Sequence, residues 1–173
     1  SLYRAVSEGF VDAIMIGQPD RILSTCQNTG ADPGRFTILE AADEKSAAEL
    51  AVSLTRSGEA DIVMKGLVGT DKFLRAVLDK EKGLLPHGAV MSYVCAVEIP
   101  AYHKLLFITD TAVLPFPDIE QKVAMARYAI EMARRFGIDK PRVALVGASE
   151  KVSDRFPNTL DYNEMRSEER RVG

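Results

Sequence analysis

Histidine and cysteine are scarce, and no stretch of the sequence is long enough and apolar enough to cross a bilayer. Two cysteines, Cys26 and Cys95, cannot make the disulfide framework of a small secreted domain. Cys26 falls in a helical pattern and Cys95 in a strand pattern, neither with the electropositive, partly open surroundings that make a thiol reactive. His87 and His103 stand in connections without a cysteine or carboxylate cluster beside them, so no metal site is expected. The apolar runs are strand-length, against roughly 20 residues for a membrane span. No basic segment followed by an apolar one opens the chain, and the expectation is a cytoplasmic protein. Blocks of like charge are absent too: 22 basic and 25 acidic residues leave a formal charge of −3. A general nucleic-acid binder carries a net basic face instead. Any anionic ligand therefore needs a local site.

What the chain does have is enough apolar material, 46% of 173 residues, to bury a core. Runs of four to six apolar residues alternate with segments of helical period, the pattern of parallel βα units. DAIMIG (12–17) reads as a buried strand, and Pro19 opens a helix that closes near Gly30. FTILEA (36–41) is the next strand. Asp43 is placed to cap a helix whose apolar stripe is Ala47, Ala48, Leu50, Ala51 and Leu54 and which stops at Gly58. DIVM (61–64) predicts a third strand and TDKFLRAVLDK (70–80) a third helix. AVMSYVCAVEI (89–99) and LLFITD (105–110) then follow each other with only PAYHK between them, too short for a crossover helix, so they predict a hairpin. Asp118 starts a long helix that runs to about Phe136 and ends at Gly137, and RVALVGA (142–148) predicts another buried strand. We expect a first α/β domain over 1–85, lacking its N-terminal strand, and part of a second over 86–165. The final stretch, 166–173, reads RSEERRVG and resembles the translation of a sequencing-adapter oligonucleotide; it is expected to be a non-native tail.

The stretch with most chemistry in it is DIVMKGLVGTDKFLRAVL. A strand leads through Lys65, Gly66 and Gly69 to a helix at Thr70, a good cap residue. Backbone N–H groups and the positive end of a helix dipole favour an anion there, and ligands of open α/β sheets gather at this end of the strands. Lys65 and Arg75 add full charges suited to phosphate oxygens. The order K-G-x-x-G-T matches neither the nucleotide-triphosphatase loop nor G-x-G-x-x-G. A purely structural turn, with Arg75 paired to Asp71 and Asp79, explains the same residues. Ser92 has no His and acid beside it in sequence. Asp110 and Thr111 end a strand, where an Asx turn is an equal explanation. Glu150 and Lys151 follow RVALVGA in the same way.

Taken together, DIVMKGLVGTDKFLRAVL, MSYVCAVEIPAYHKLLFITDTAVLPFPDIEQK and RVALVGASEKVSDRFPNTLDY, in this order and spacing, resemble the phosphate acetyl- and butyryltransferases, most closely the butyryl-type branch. The resemblance implies a two-domain α/β architecture like the isocitrate and isopropylmalate dehydrogenases, with mostly parallel sheets, here incomplete. It implies transfer of a short acyl group between acyl phosphate and coenzyme A, with no permanently bound cofactor and no metal. Coenzyme A and acyl phosphate or phosphate are the implied partners, with no nucleic acid and no membrane, and a homo-oligomer is expected at full length. By resemblance Lys65, Arg75 and Ser92 are catalytic, and Gly66, Gly69, Thr70, Asp110, Thr111, Glu150 and Lys151 bind substrate. The alternatives are a fatty-acyl phosphate transferase or a metal- and NAD-dependent dehydrogenase on the same fold, or a non-catalytic ligand-binding module.

Overall fold

The computed structural model describes residues 2–147, 149 and 151–172. Helices and strands are mixed, and the chain divides into two compact units, one ending at Ala89 and the other beginning at Val90.

In the first unit a short helix α1 (Leu2–Ser7) precedes strand β1 (Ala13–Gly17), helix α2 (Pro19–Thr29) and strand β2 (Phe36–Glu40). β1 and β2 pair in parallel, Ala13 opposite Phe36 through Gly17 opposite Glu40, so β1, α2 and β2 form the crossover unit that parallel pairing demands. Pro19 occupies the first turn of α2 and Gly30 closes it in the left-handed conformation, φ 69°. Helix α3 (Glu44–Ser57) begins with a capping box: the Asp43 carboxylate accepts from the Ser46 N–H, and the Ser46 hydroxyl accepts from the Asp43 N–H. Its buried face is Ala47, Ala48 and Val52, the last of which lies off the stripe expected from sequence. Ala48 and Val52 pack with Ala76 of helix α4 (Thr70–Val77), and Val68, Val77 and Leu84 close around them.

Two expectations for this unit are corrected. Residues 61–64 form no strand, and Ile62 and Met64 are 77% and 69% exposed. A strand exists only through its ladder to a neighbour, and among the described residues none runs beside this segment. Helix α4 also stops at Val77 rather than residue 80, because the Asp79 carboxylate takes the N–H groups of Glu81 and Lys82 into a turn. Gly83 and Leu84 then return to the carbonyls of Asp79 and Val77.

The second unit holds the predicted hairpin. Strands β3 (Val94–Val97) and β4 (Leu106–Thr109) pair antiparallel, Val94 opposite Thr109 and Val97 opposite Leu106. Both are shorter than their apolar runs; the Tyr93 N–H, for instance, goes to the Asp110 side chain instead of a ladder. One strand pair of the two is thus parallel and the other antiparallel. Helix α5 (Ile119–Arg135) opens with a second capping box, Asp118 with Gln121. It packs on the hairpin, the Phe136 ring just past its end standing edge-on to Phe107 with centroids 5.4 Å apart. The predicted strand over 142–148 is not formed in its described part, 142–147. That segment is tied at Val146, whose carbonyl accepts from the Tyr162 hydroxyl at 3.3 Å. Helix α6 (Pro157–Val172) ends the described chain.

Candidate functional site

The residues singled out from sequence fall in both units, at the turn into α4 and at the end of β4. At the first place, Gly69 rather than Thr70 is the N-cap of α4, and no side chain caps the helix. Its N–H instead meets the carboxylate of Glu44, at the start of α3, with Gly69 N to Glu44 Oε2 at 3.3 Å. Lys72 closes on the same oxygen at 2.8 Å. The Lys72 bond, followed by the Gly69 N–H, holds the Glu44 carboxyl below its ordinary range, and the same pair raises Lys72. The N-terminus of α4 is therefore an anion-favouring spot already filled by the chain's own carboxylate. Lys65 is exposed and its ammonium turns back to the Gly66 carbonyl at 3.2 Å. Arg75 is exposed on the last turn of α4 and makes no ion pair among the described residues, so its expected partners Asp71 and Asp79 do not engage it.

The second place is more tightly built. Asp110 leaves the end of β4 with both carboxylate oxygens satisfied. Oδ1 accepts from the N–H groups of Ala112 and Val113 at 2.7 and 2.8 Å. Oδ2 accepts from Tyr93 N–H at 3.0 Å and the Ser92 hydroxyl at 3.1 Å. Burial pushes this carboxyl up, but the Ala112, Val113 and Tyr93 N–H groups and the Ser92 hydroxyl outweigh it and bring the pKa down to about 2. So the structure brings Ser92 and Asp110 together, though not as nucleophile and base: the serine proton already points at a carboxylate that is an acceptor throughout the neutral range. Ser92 stands just ahead of β3 rather than within a strand, its oxygen 3.3 Å from that of Thr109. Thr111 is exposed in the turn that Asp110 organises. Lys151 is exposed and its N–H donates to the Ser149 hydroxyl at 3.1 Å. Glu150 lies outside the described residues.

Sequence reasoning passed over Lys122. Its side chain is 7% exposed, ion-paired with Asp161 and 2.7 Å from Asn158 Oδ1. A lysine at a helix position next to a capping box ordinarily reads as surface; only its partners on α6, far along the chain, mark it as interior.

The family comparison decides what this scaffold is. Residues 36–170 match the family model described as phosphate acetyl/butaryl transferase. The chain belongs to this family. Among its relatives, a phosphate butyryltransferase of Clostridium acetobutylicum is 40% identical over 157 residues, covering 91% of this chain and 52% of that protein. A phosphate acetyltransferase of Rhizobium meliloti is 31% identical, with 91% of this chain and 49% of that protein covered. The chain thus spans about half the length of these transferases. A solved structure, the branched-chain phosphotransacylase from Enterococcus faecalis V583, superposes with a TM-score of 0.71 at 25% identity, covering 89% of this chain and 62% of that one. The family match runs through both units, so Glu44 and the Asp110 turn both lie inside it.

Proposed function

We propose that the protein carrying this chain transfers a short acyl group between acyl phosphate and coenzyme A. The observation that carries this reading is the family match over 36–170, which includes both candidate places. In the reaction the coenzyme A thiolate attacks the carbonyl carbon of the acyl phosphate; the C–S bond forms, the C–O bond to phosphorus breaks, and phosphate leaves. The protein's task is to align the two substrates and to stabilise charge on the carbonyl oxygen and the departing phosphate.

The N-terminus of α4 suits the phosphate end. A carboxylate rests there now, held by the Gly69 N–H and the Lys72 ammonium, and a phosphate group taking that position would displace Glu44 and gain Lys65 and Arg75 as further cations. In the first unit Gly66 and Thr70 belong to the same phosphate-binding reading; in the second, Ser92, Asp110, Thr111, Glu150 and Lys151 are proposed to serve the substrates, with Asp110 acting by shaping its turn. Butyryl-type specificity, the two-domain architecture of the isocitrate and isopropylmalate dehydrogenases and a homo-oligomer at full length belong to the same reading. So does a cytoplasmic setting, in keeping with two free cysteines.

The test is steady-state kinetics on the full-length protein, following coenzyme A thiol release from butyryl-CoA and phosphate. Arg75→Ala should raise the KM for phosphate about tenfold, the loss of one charge-assisted hydrogen bond, with the KM for butyryl-CoA unchanged. Glu44→Gln should lower the KM for phosphate. Equal loss for both substrates in Arg75→Ala would overturn the phosphate assignment, and absence of transfer in the wild type would overturn the activity.

A further inference from the structure

From Lys65 to Thr70 the chain presents a single exposed apolar side chain, that of Leu67. Its neighbour Val68 turns inward and packs against Ala48, Val52 and Ala76, which leaves Leu67 97% exposed. Isolated leucines are ordinary on protein surfaces, so exposure by itself assigns Leu67 no task. Its place does. Leu67 stands two residues ahead of Gly69, the N-cap of α4, whose N–H meets the Glu44 carboxylate. Two residues of chain span at most about 7 Å.

The oxygen held at that point belongs to an acid and is also bound by the Lys72 ammonium. Amides and cations recognise such an oxygen whatever is attached behind it, so they cannot tell one acyl phosphate from another. Discrimination needs an apolar surface within reach of the attached chain. Around this turn Lys65 is charged, Gly66 and Gly69 have no side chain, Thr70 brings a hydroxyl and Val68 is committed to the core. Leu67 alone is apolar and free to be covered, and an acyl group several bonds long can bridge the distance from a phosphorus atom at Gly69.

We propose that Leu67 reads the length of the acyl group, lying against the alkyl chain of an acyl phosphate whose phosphoryl group takes the place of the Glu44 carboxylate beside Gly69 and Lys72. This deepens the transferase reading and rests on it. A butyryl group has two methylenes more than an acetyl group, and each methylene taken out of water strengthens binding about fourfold. Contact with Leu67 therefore separates the two donors and leaves inorganic phosphate, which has no chain, unaffected.

The experiment is initial-rate kinetics on the full-length protein with coenzyme A and acetyl, propionyl or butyryl phosphate, together with calorimetric titration by two unreactive probes, methylphosphonate and n-butylphosphonate. Leu67→Ser should lower kcat/KM for butyryl phosphate about fivefold relative to acetyl phosphate. Propionyl phosphate should fall between them, and the KM for inorganic phosphate in the reverse direction should not move. The same variant should lose the preference for n-butylphosphonate over methylphosphonate. Leu67→Met, close in volume, should keep both ratios within about twofold of wild type. Unchanged ratios in Leu67→Ser overturn the proposal, and a lowered melting temperature beside them marks Leu67 as a packing residue of the whole protein. A wild type that distinguishes neither the acyl phosphates nor the phosphonates by chain length overturns it as well. If the wild type transfers acyl groups and Leu67→Ser leaves both ratios alone, the proposal falls and the transferase reading stands. If the wild type transfers none, yet prefers n-butylphosphonate and loses that preference in Leu67→Ser, the assignment of Leu67 to an alkyl chain stands and the transferase reading falls.

Discussion

Asp110 concentrates more hydrogen bonds on one side chain than any other residue considered for the site, and its four donors come from residues 92 to 113. Removing it leaves three backbone N–H groups and a hydroxyl without their acceptor. Asp110→Ala is therefore expected to cost about 2 kcal/mol in urea denaturation, since a hydrogen bond to a charged group contributes about 1.5–3 kcal/mol and water replaces part of the loss. The pH dependence has a definite sign. The folded-state pKa of about 2 lies below the ordinary 3.8, so the unfolded chain takes up the proton first. The contribution is complete above about pH 4 and fades as pH falls toward about 2. Asp110→Asn should accordingly lose less stability than wild type between about pH 5 and about pH 2.5, measured by urea midpoints at the two values. Gly83 has a different reason to be what it is. A Cβ there would lie 2.4 Å from the carbonyl oxygens of Val77 and Asp79, backbone atoms that cannot swing aside. Gly83→Ala should destabilise by about 2 kcal/mol, the usual cost of forced overpacking, seen as a lowered melting temperature.

At the scale of elements, α3 and α5 start in the same way, an aspartate cap answered three residues later by Ser46 or Gln121. Asp43→Ala and Asp118→Ala should each cost about 1 kcal/mol, and because the caps sit in different units the double variant should lose about the sum. Thermal denaturation of the three variants checks this. α4 lacks such a cap. Its first turn relies on Glu44 from a neighbouring helix, so Glu44→Ala should leave α3 helical yet speed amide exchange at Gly69, readable by hydrogen exchange.

Across the whole molecule the core is thin. No large side chain among the described residues is fully buried, and the buried apolar set consists of alanines, Val52 and Cys26. Large apolar side chains meanwhile face solvent, Leu67 at 97% and Phe116 at 95% exposure. Ile62, Met64 and Leu67 lie within six residues of one another, a run of a kind that associates with apolar dyes and with itself. Replacing all three by Ser should lower the fluorescence of a bound naphthalene-sulfonate dye and leave the melting temperature within about 2 °C, as expected where little area is buried. Among the described residues, no helix is long and apolar enough to cross a membrane.

Periodicity, caps and punctuation are local properties, and they were legible. Pro19, Gly30, Asp43, Gly58 and Asp118 marked helix ends because each acts through its own backbone or its near neighbours. The hairpin followed from a connection too short to cross over, and the family from three segments in fixed order. Partnership through space was not legible. DIVM has the composition of a strand, but a ladder needs a second chain segment alongside, and composition does not say where that segment runs. Lys122 has the sequence context of a surface residue and became interior only when α6 brought Asn158 and Asp161 against it. Whether the amide of Gly69 stays open or is taken by Glu44, 25 residues earlier, depended likewise on how α3 and α4 pack.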